Sequence, residues 1–279
     1  MATYTFFITL QMFGESQRPT FTAIDIFYAL LLLLISAYAR LWSIPYPNVI
    51  TFDEVHFGNF TKWYIKNEFH FDIHPPLGKM MMAYISKLED YHGEIELFSP
   101  LGRKYYMNET HYITLRKIPA IFSSFCPPLL YCTARLFYID PFPSFVGALM
   151  IALDISSIVE SKFILSDGML HFWFAFHFYL FSRKKTLLHL FALSLRYGGE
   201  IRAILAGISL GAASSCKFTA LSAFAIDGIS QFFWILIKRP NIPSIILRAI
   251  SILIPSVITI YAAWIWHFST TPYQGYHGY

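Results

Sequence analysis

The stretch Tyr28–Trp42, YALLLLLISAYARLW, decides the class of this protein. With the residues from Ala23 onward it forms one mostly apolar run of the ~20 residues that a helix needs to cross a bilayer. Its length, and the lack of a small-residue cleavage site, favour a retained signal anchor over a cleaved signal peptide. Residues 1–20 are too polar after Gln11 to span, and residues 1–22 read as a cytosolic N-terminal segment. The composition agrees. Hydrophobic residues make up 56% of the 279 and charged residues 14%, against roughly 25% charged in an ordinary soluble domain. Disorder is excluded, because it requires low hydrophobicity. The net charge of +4 is not gathered in one basic tract, so no nucleic-acid footprint is present. Cys126, Cys132 and Cys216 lie inside apolar runs without metal-ligand spacing and read as small packing residues.

Working outward, residues 43–112 form a long amphipathic loop with no spanning run. Apolar runs return at 113–138, 142–161, 166–182, 203–216, 218–237 and 244–266, giving about seven spans in residues 23–279. The segment 186–195 is too short to cross and reads as interfacial. Arg183, Lys184, Lys185, Arg196 and Arg202 in one connection, and Lys238, Arg239 and Arg248 in another, fall on the same side. The positive-inside rule places that side in the cytosol. The loop 43–112, richer in acids than bases, is then lumenal or extracellular. Within it, Phe57, Phe60 and Tyr64 form one helical stripe, with His56, Asn59, Lys62 and Lys66 on another face. Leu77, Met81, Tyr84, Ile85 and Leu88 form a second stripe behind Pro75-Pro76. Both read as short helices lying on the membrane surface.

The residues able to do chemistry sit on that side. Asp53-Glu54 reads as a solvated acidic loop or, partly desolvated, as a general base. A metal site from Asp53, Glu54, His56, Asp72 and His74 is a third reading, though the spacing fits no strong metal pattern. Arg116-Lys117 either snorkels at a helix end or neutralises an anionic lipid-linked group. The segment 154–167 holds Asp154, Glu160, Lys162 and Asp167, as ion pairs or as a cavity lining. Lys217 is an anion-binding candidate. Asp227, with no evident partner, reads as structural.

The phrase Phe52–Met80, FDEVHFGNFTKWYIKNEFHFDIHPPLGKM, resembles the protein O-mannosyltransferases, which carry a DEVHF motif after the first span and then D-x-HPPL-K. LRKIPA (Leu115–Ala120), LDISSIVESKFILSD (Leu153–Asp167) and GISLGAASSCKFTAL (Gly207–Leu221) resemble further family elements, in family order, over about residues 20–225. The resemblance implies an all-α polytopic membrane protein, a glycosyltransferase bundle of the GT-C type, in the endoplasmic reticulum membrane with a lumenal site. It implies transfer of mannose, with inversion, from dolichyl phosphate mannose to Ser or Thr hydroxyls of acceptor proteins. It also implies a dimer with a family member and no required cofactor, a divalent metal not being expected.

On this resemblance Asp53 is the base and Glu54 orients acceptor or sugar. Arg116, Lys162 and Lys217 stabilise the departing dolichyl phosphate. His56, Asp72, His74, Glu160 and Asp167 line the substrate groove. Lys162 stands where the family has Arg, and Ile155 where it has Asn. The family continues beyond Tyr279 with a lumenal MIR domain and further spans, which points to a truncated, partial or reduced member. Alternatives are a silent relative that binds an active partner, a transferase of another sugar, and a transporter using Asp154, Glu160, Asp167 and Asp227 as a proton relay. Asn59-Phe60-Thr61 and Asn108-Glu109-Thr110 are glycosylation sequons on the lumenal face.

Overall fold

The computed structural model describes residues 20–94, 102, 104, 111–182 and 198–273, apart from the side chains of 198–200 and 238. Each predicted apolar run is helical within them. The helices are α1 (Ala23–Leu41), α2 (Glu54–Lys66), α3 (Leu77–Lys87), α4 (His111–Ser124), α5 (Cys126–Leu136), α6 (Pro141–Ala152), α7 (Ile155–Ser161), α8 (Asp167–Ser182), α9 (Gly198–Cys216), α10 (Ser222–Lys238) and α11 (Ile242–Thr270). Extended pairing among the described residues is confined to two isolated bridges, Val49 with Lys104 and Glu68 with Tyr273. The fold is the expected all-α membrane bundle. The N-terminal segment 1–19, the interfacial segment 186–195 and the Asn108 sequon lie outside the described residues.

Three helices are long and apolar enough to span by length and composition: Ala23–Leu41, Phe218–Ile237 and Ile242–Thr270. Two expected single spans are broken. The run 113–138 divides at Phe125, just ahead of Pro127-Pro128, whose ring nitrogens have no hydrogen to extend the ladder of α4. The run 142–161 bends by 54° between α6 and α7. There the Asp154 carboxylate accepts from Ser157 N at 2.8 Å and starts a new helix.

Small residues and buried charge set the packing. Helix α9 lies between α8 and α11. A Cβ on Gly207 would fall 2.4 Å from the Ile252 carbonyl oxygen, and one on Gly211 2.5 Å from that of Ser256. Only glycine permits this approach, which lets the Ser256 hydroxyl donate to the Gly207 carbonyl at 2.8 Å. Helix α1 packs on α4, α5 and α6 and is pinned near both ends. Asp25 accepts from Tyr131 Oη (2.7 Å) and Arg135 Nε (2.6 Å). Near the other end, Arg40 donates to Ser36, Ser123, Ser157 and the Ala152 carbonyl. The outer faces of α1 (Phe27, Leu30, Leu34, Tyr38) and α10 (Ile229, Phe232, Leu236) remain exposed and apolar, a surface suited to lipid.

The loop helices correct one expectation. Both α2 and α3 form, but neither has a solvated polar face over its whole length. Asn59 and Lys62 of α2 are buried along with Phe57, Phe60 and Tyr64. In α3 the fully buried apolar side chains are Met80, Met82 and Ala83, whereas Leu88 of the predicted stripe is exposed. The cause is packing on several sides: α3 touches α2, α4, α8, α9 and α11. A one-face amphipathic pattern does not describe such a helix.

Candidate active site

Asp53 and Glu54 are neighbours in the chain with opposite environments. The chain leaves α1 and turns at Phe52, which adopts φ 51°, a left-handed conformation that is an outlier for a bulky side chain. Asp53 then caps α2 with its backbone: its carbonyl accepts from His56 N (2.9 Å) and Phe57 N (3.0 Å). Its carboxylate makes no capping hydrogen bond and is half-buried. It stands at the positive end of the α2 dipole, where an anion is favoured.

Glu54 is completely buried. Oε1 accepts from Arg116 Nε (2.7 Å) and Ile164 N (3.1 Å), and Oε2 from Arg116 Nη2 (2.8 Å) and Thr51 N (2.9 Å). Arg116 spends its remaining donors on the loop that follows α1. Nη1 reaches the carbonyls of Pro47 (2.8 Å) and Ile44 (3.3 Å), and Nη2 that of Val49 (3.1 Å). The guanidinium lies against the rings of Tyr112 and Phe163. This corrects two expected roles. Arg116 is fully buried with its N–H groups committed inside the protein, so it does not face a phosphate. Glu54 does not face an acceptor or sugar. Together they form a bidentate brace that holds the α1–α2 loop, α4 and the 163–164 turn in one place.

A second group lies around the HPPL element. Asp72 pairs with Lys79, and Lys79 Nζ also donates to the His74 carbonyl at 2.7 Å. Burial lowers the pKa of Lys79 and Asp72 opposes that shift. His74 stacks on Phe57 with ring centres 6.2 Å apart. A Cβ on Gly78 would fall 2.7 Å from Ser166 Cβ and 3.7 Å from Cys216 Cβ. These are the residues just before Asp167 and Lys217, which pair at 2.9 Å and stay partly exposed. Lys162 donates to the Trp42 carbonyl at 2.8 Å and is half-exposed. Gly78, next to Lys79, thus packs beside the segments that carry Asp167 and Lys217. His56 and Glu160 are exposed, and Glu160 lies near enough to act electrostatically on His171, as Asp167 and Lys217 do.

The acids and histidines of the metal and transporter readings are not brought together. Among the described residues no three His, Cys, Asp or Glu side chains converge on a possible ion site, and Glu54 and Asp72 each pair with a cation. Asp154 caps α7, Asp167 pairs with Lys217, and Asp227 lies 3.0 Å from His177 Nε2. These acids have separate local partners rather than a shared path.

A family model described as Dolichyl-phosphate-mannose-protein mannosyltransferase matches residues 30–271. The chain belongs to that family. Dolichyl-phosphate-mannose–protein mannosyltransferase 6 of Saccharomyces cerevisiae is 32% identical over 209 residues, covering 74% of this chain and 26% of that one. Dolichyl-phosphate-mannose–protein mannosyltransferase 1 of Candida albicans is 33% identical over 210 residues, 74% of this chain and 23% of that one. Among solved structures, a Saccharomyces cerevisiae protein O-mannosyltransferase complex bound to the sugar donor superposes with a TM-score of 0.82 at 26% identity, over 92% of this chain and 35% of that one. The chain therefore spans about a quarter of the length of these curated relatives.

For this mannosyltransferase-family chain, sequence reasoning missed Arg40. Its guanidinium is fully buried and ties α1 to α4, α6 and α7 close to the loop that carries Asp53. The signal was available: a lone arginine inside a 19-residue apolar helix must find polar partners.

Proposed function

We propose that this chain carries the donor-side catalytic portion of a dolichyl-phosphate-mannose–protein mannosyltransferase. The observation that carries the reading is the division of labour at the start of α2: Glu54 is consumed by Arg116, which leaves the adjacent, half-buried Asp53 carboxylate uncommitted as a cap. In this mechanism Asp53 accepts the proton of a Ser or Thr hydroxyl as its oxygen attacks C1 of the β-linked mannose. The C1–O bond to dolichyl phosphate breaks with inversion, and the phosphate departs with the bonding pair. A phosphate leaves without a general acid, so one base suffices.

Lys162 and Lys217, both partly exposed, replace Arg116 as the cations for the leaving group. Lysine serves there as a point charge rather than a bidentate fork. The brace keeps Asp53 in register, since a small misplacement of a catalytic group costs rate. The reaction takes place on the lumenal face of the endoplasmic reticulum membrane, in a chain of about seven spans paired with a family member. Three features support the reading: the family membership, the order of the motifs and the basic connections on the opposite side.

The test is mannose transfer in membranes that express the chain, alone and with a full-length relative, using labelled dolichyl phosphate mannose and a Ser/Thr-rich peptide. Transfer that disappears in Asp53→Asn supports the reading. No transfer by correctly inserted protein in either setting overturns it in favour of a silent partner.

A further inference from the structure

A cavity of about 200 Å³ lies between α10 and α11, and none of the candidate catalytic residues lines it. Its walls include Phe224, Gly228, Trp234, Ile245, Arg248 and Leu253. It exists because α11 packs along α9 while α10 stands off from α11. Gly228 enlarges it: a Cβ there would meet nothing within 4 Å. The space opens to the lipid-suited surface, since Leu253 in its wall is 49% exposed.

One charge faces this space. Arg248 is half-buried, and its guanidinium lies over the rings of Trp234 at 5.0 Å and Phe181 at 5.9 Å. Among the described residues no hydrogen-bond acceptor meets its N–H groups, yet none of its nitrogens is sealed off. Asp227 acts on it from beyond ion-pair distance and does not neutralise it. Nδ1 of His177 donates to the Ala206 carbonyl at 2.8 Å, so that nitrogen carries a hydrogen. Nε2 then stands 3.0 Å from Asp227 Oδ2. Bare lone pairs at that distance repel, so the imidazole and the carboxylate share one further proton. Whichever holds it, the pair is neutral and Arg248 is left as an unbalanced cation.

Depth and chemistry select the occupant. Helix α11 has 29 residues, ~43 Å at 1.5 Å per residue, which exceeds the ~30 Å hydrocarbon core. Arg248 is six residues from the first, Ile242, or ~9 Å along the axis. That places the guanidinium near the boundary of headgroups and acyl chains, on the side of the basic connections. A hydrocarbon alone would leave the cation without a counter-ion. A small inorganic anion would leave the apolar walls unfilled. An anionic phospholipid meets both demands, its phosphate on the guanidinium fork and an acyl chain along the walls.

We propose that the cleft between α10 and α11 binds an anionic phospholipid of the cytosolic leaflet, with its phosphate on Arg248 and one acyl chain beside Gly228. The orientation is taken from the transferase reading; the binding does not depend on the transfer chemistry.

The experiment is native mass spectrometry of the full chain released from nanodiscs of phosphatidylcholine with increasing phosphatidylserine. Thermal melting in detergent, with each lipid titrated in, runs beside it. Wild type should retain one phosphatidylserine and prefer it to phosphatidylcholine about tenfold, the worth of one charge-assisted hydrogen bond. Its melting temperature should rise to a plateau with phosphatidylserine. Arg248→Gln should abolish the preference. Gly228→Leu fills the space and leaves the charge, so it should lower the occupancy of both lipids while melting in lipid-free detergent at or above the wild-type temperature. That variant separates lost binding from lost folding. The proposal is overturned if wild type retains both lipids alike, if Arg248→Gln keeps the preference, or if Gly228→Leu keeps wild-type occupancy. It is also overturned if inorganic phosphate raises the melting temperature as much as the lipid does. Lipid binding without any mannose transfer would count against the transferase reading alone.

Discussion

The two ends of α2 are built on opposite principles. At the Asp53 end, charge is saturated: Glu54 and Arg116 exchange two hydrogen bonds, and backbone carbonyls and amides take the rest. At the Tyr64 end, aromatic rings border a space, and a buried imidazole nitrogen has no hydrogen-bond partner among the described residues. A saturated ion pair fixes geometry and binds nothing further. The contrast lies within a single 13-residue helix.

The sharpest way to break the comparison is to separate Asp53 from its neighbour. Asp53→Asn should lower transfer by about 10²–10⁴-fold with the melting temperature unchanged, whereas Glu54→Gln should lower both. Initial rates and thermal melting of the same preparations test this, and equal melting losses in both variants would refute the division of roles. Next in size is Arg116→Lys. Lysine cannot supply the fork, so the variant should lose up to the ~3–5 kcal/mol expected when one partner of a buried pair is removed. Thermal melting reads this directly, and a neutral result would mean that the brace is not structural.

At the other end, acid should act through His70. Its folded pKa is pushed down to about 4, against about 6.5 in an unfolded chain. Above pH 6.5 neither state takes the proton and the full stability is present. As pH falls from 6.5 towards 4, the unfolded chain binds a proton that the fold refuses, and stability drops by a few kcal/mol at most. Melting temperatures across that window should slope downward toward acid, and less steeply in His70→Gln. The smallest effect is a null one. Asn59 is 5% exposed inside α2, so its sequon should carry no glycan, and an endoglycosidase gel shift that maps to Asn59 would contradict the packing.

Much of this was legible in the chain. The apolar runs gave helices because a 19-residue segment such as α1 has few alternatives once its backbone leaves water. The loop helices were legible as elements but not as surfaces. Phe57, Phe60 and Tyr64 showed their period, yet Asn59 and Lys62 were also drawn inside because neighbours close on more than one side of α2. Arg116 was legible as a cation at a helix end and misread in role, since its acceptors at Ile44, Pro47 and Val49 lie about 70 residues earlier in the chain.

By itself the sequence determined the membrane class, the helical elements and the motif order that places the chain among the protein mannosyltransferases. Those follow from local hydrophobicity and residue identity. Only the tertiary structure decided which of two adjacent carboxylates is locked in a buried ion pair. Successive residues on a helix point about 100° apart, so Glu54 turns inward to a guanidinium 62 positions away while Asp53 does not. It also decided that His70, unremarkable in sequence, closes a cavity whose other wall arrives from α11 nearly 200 residues later.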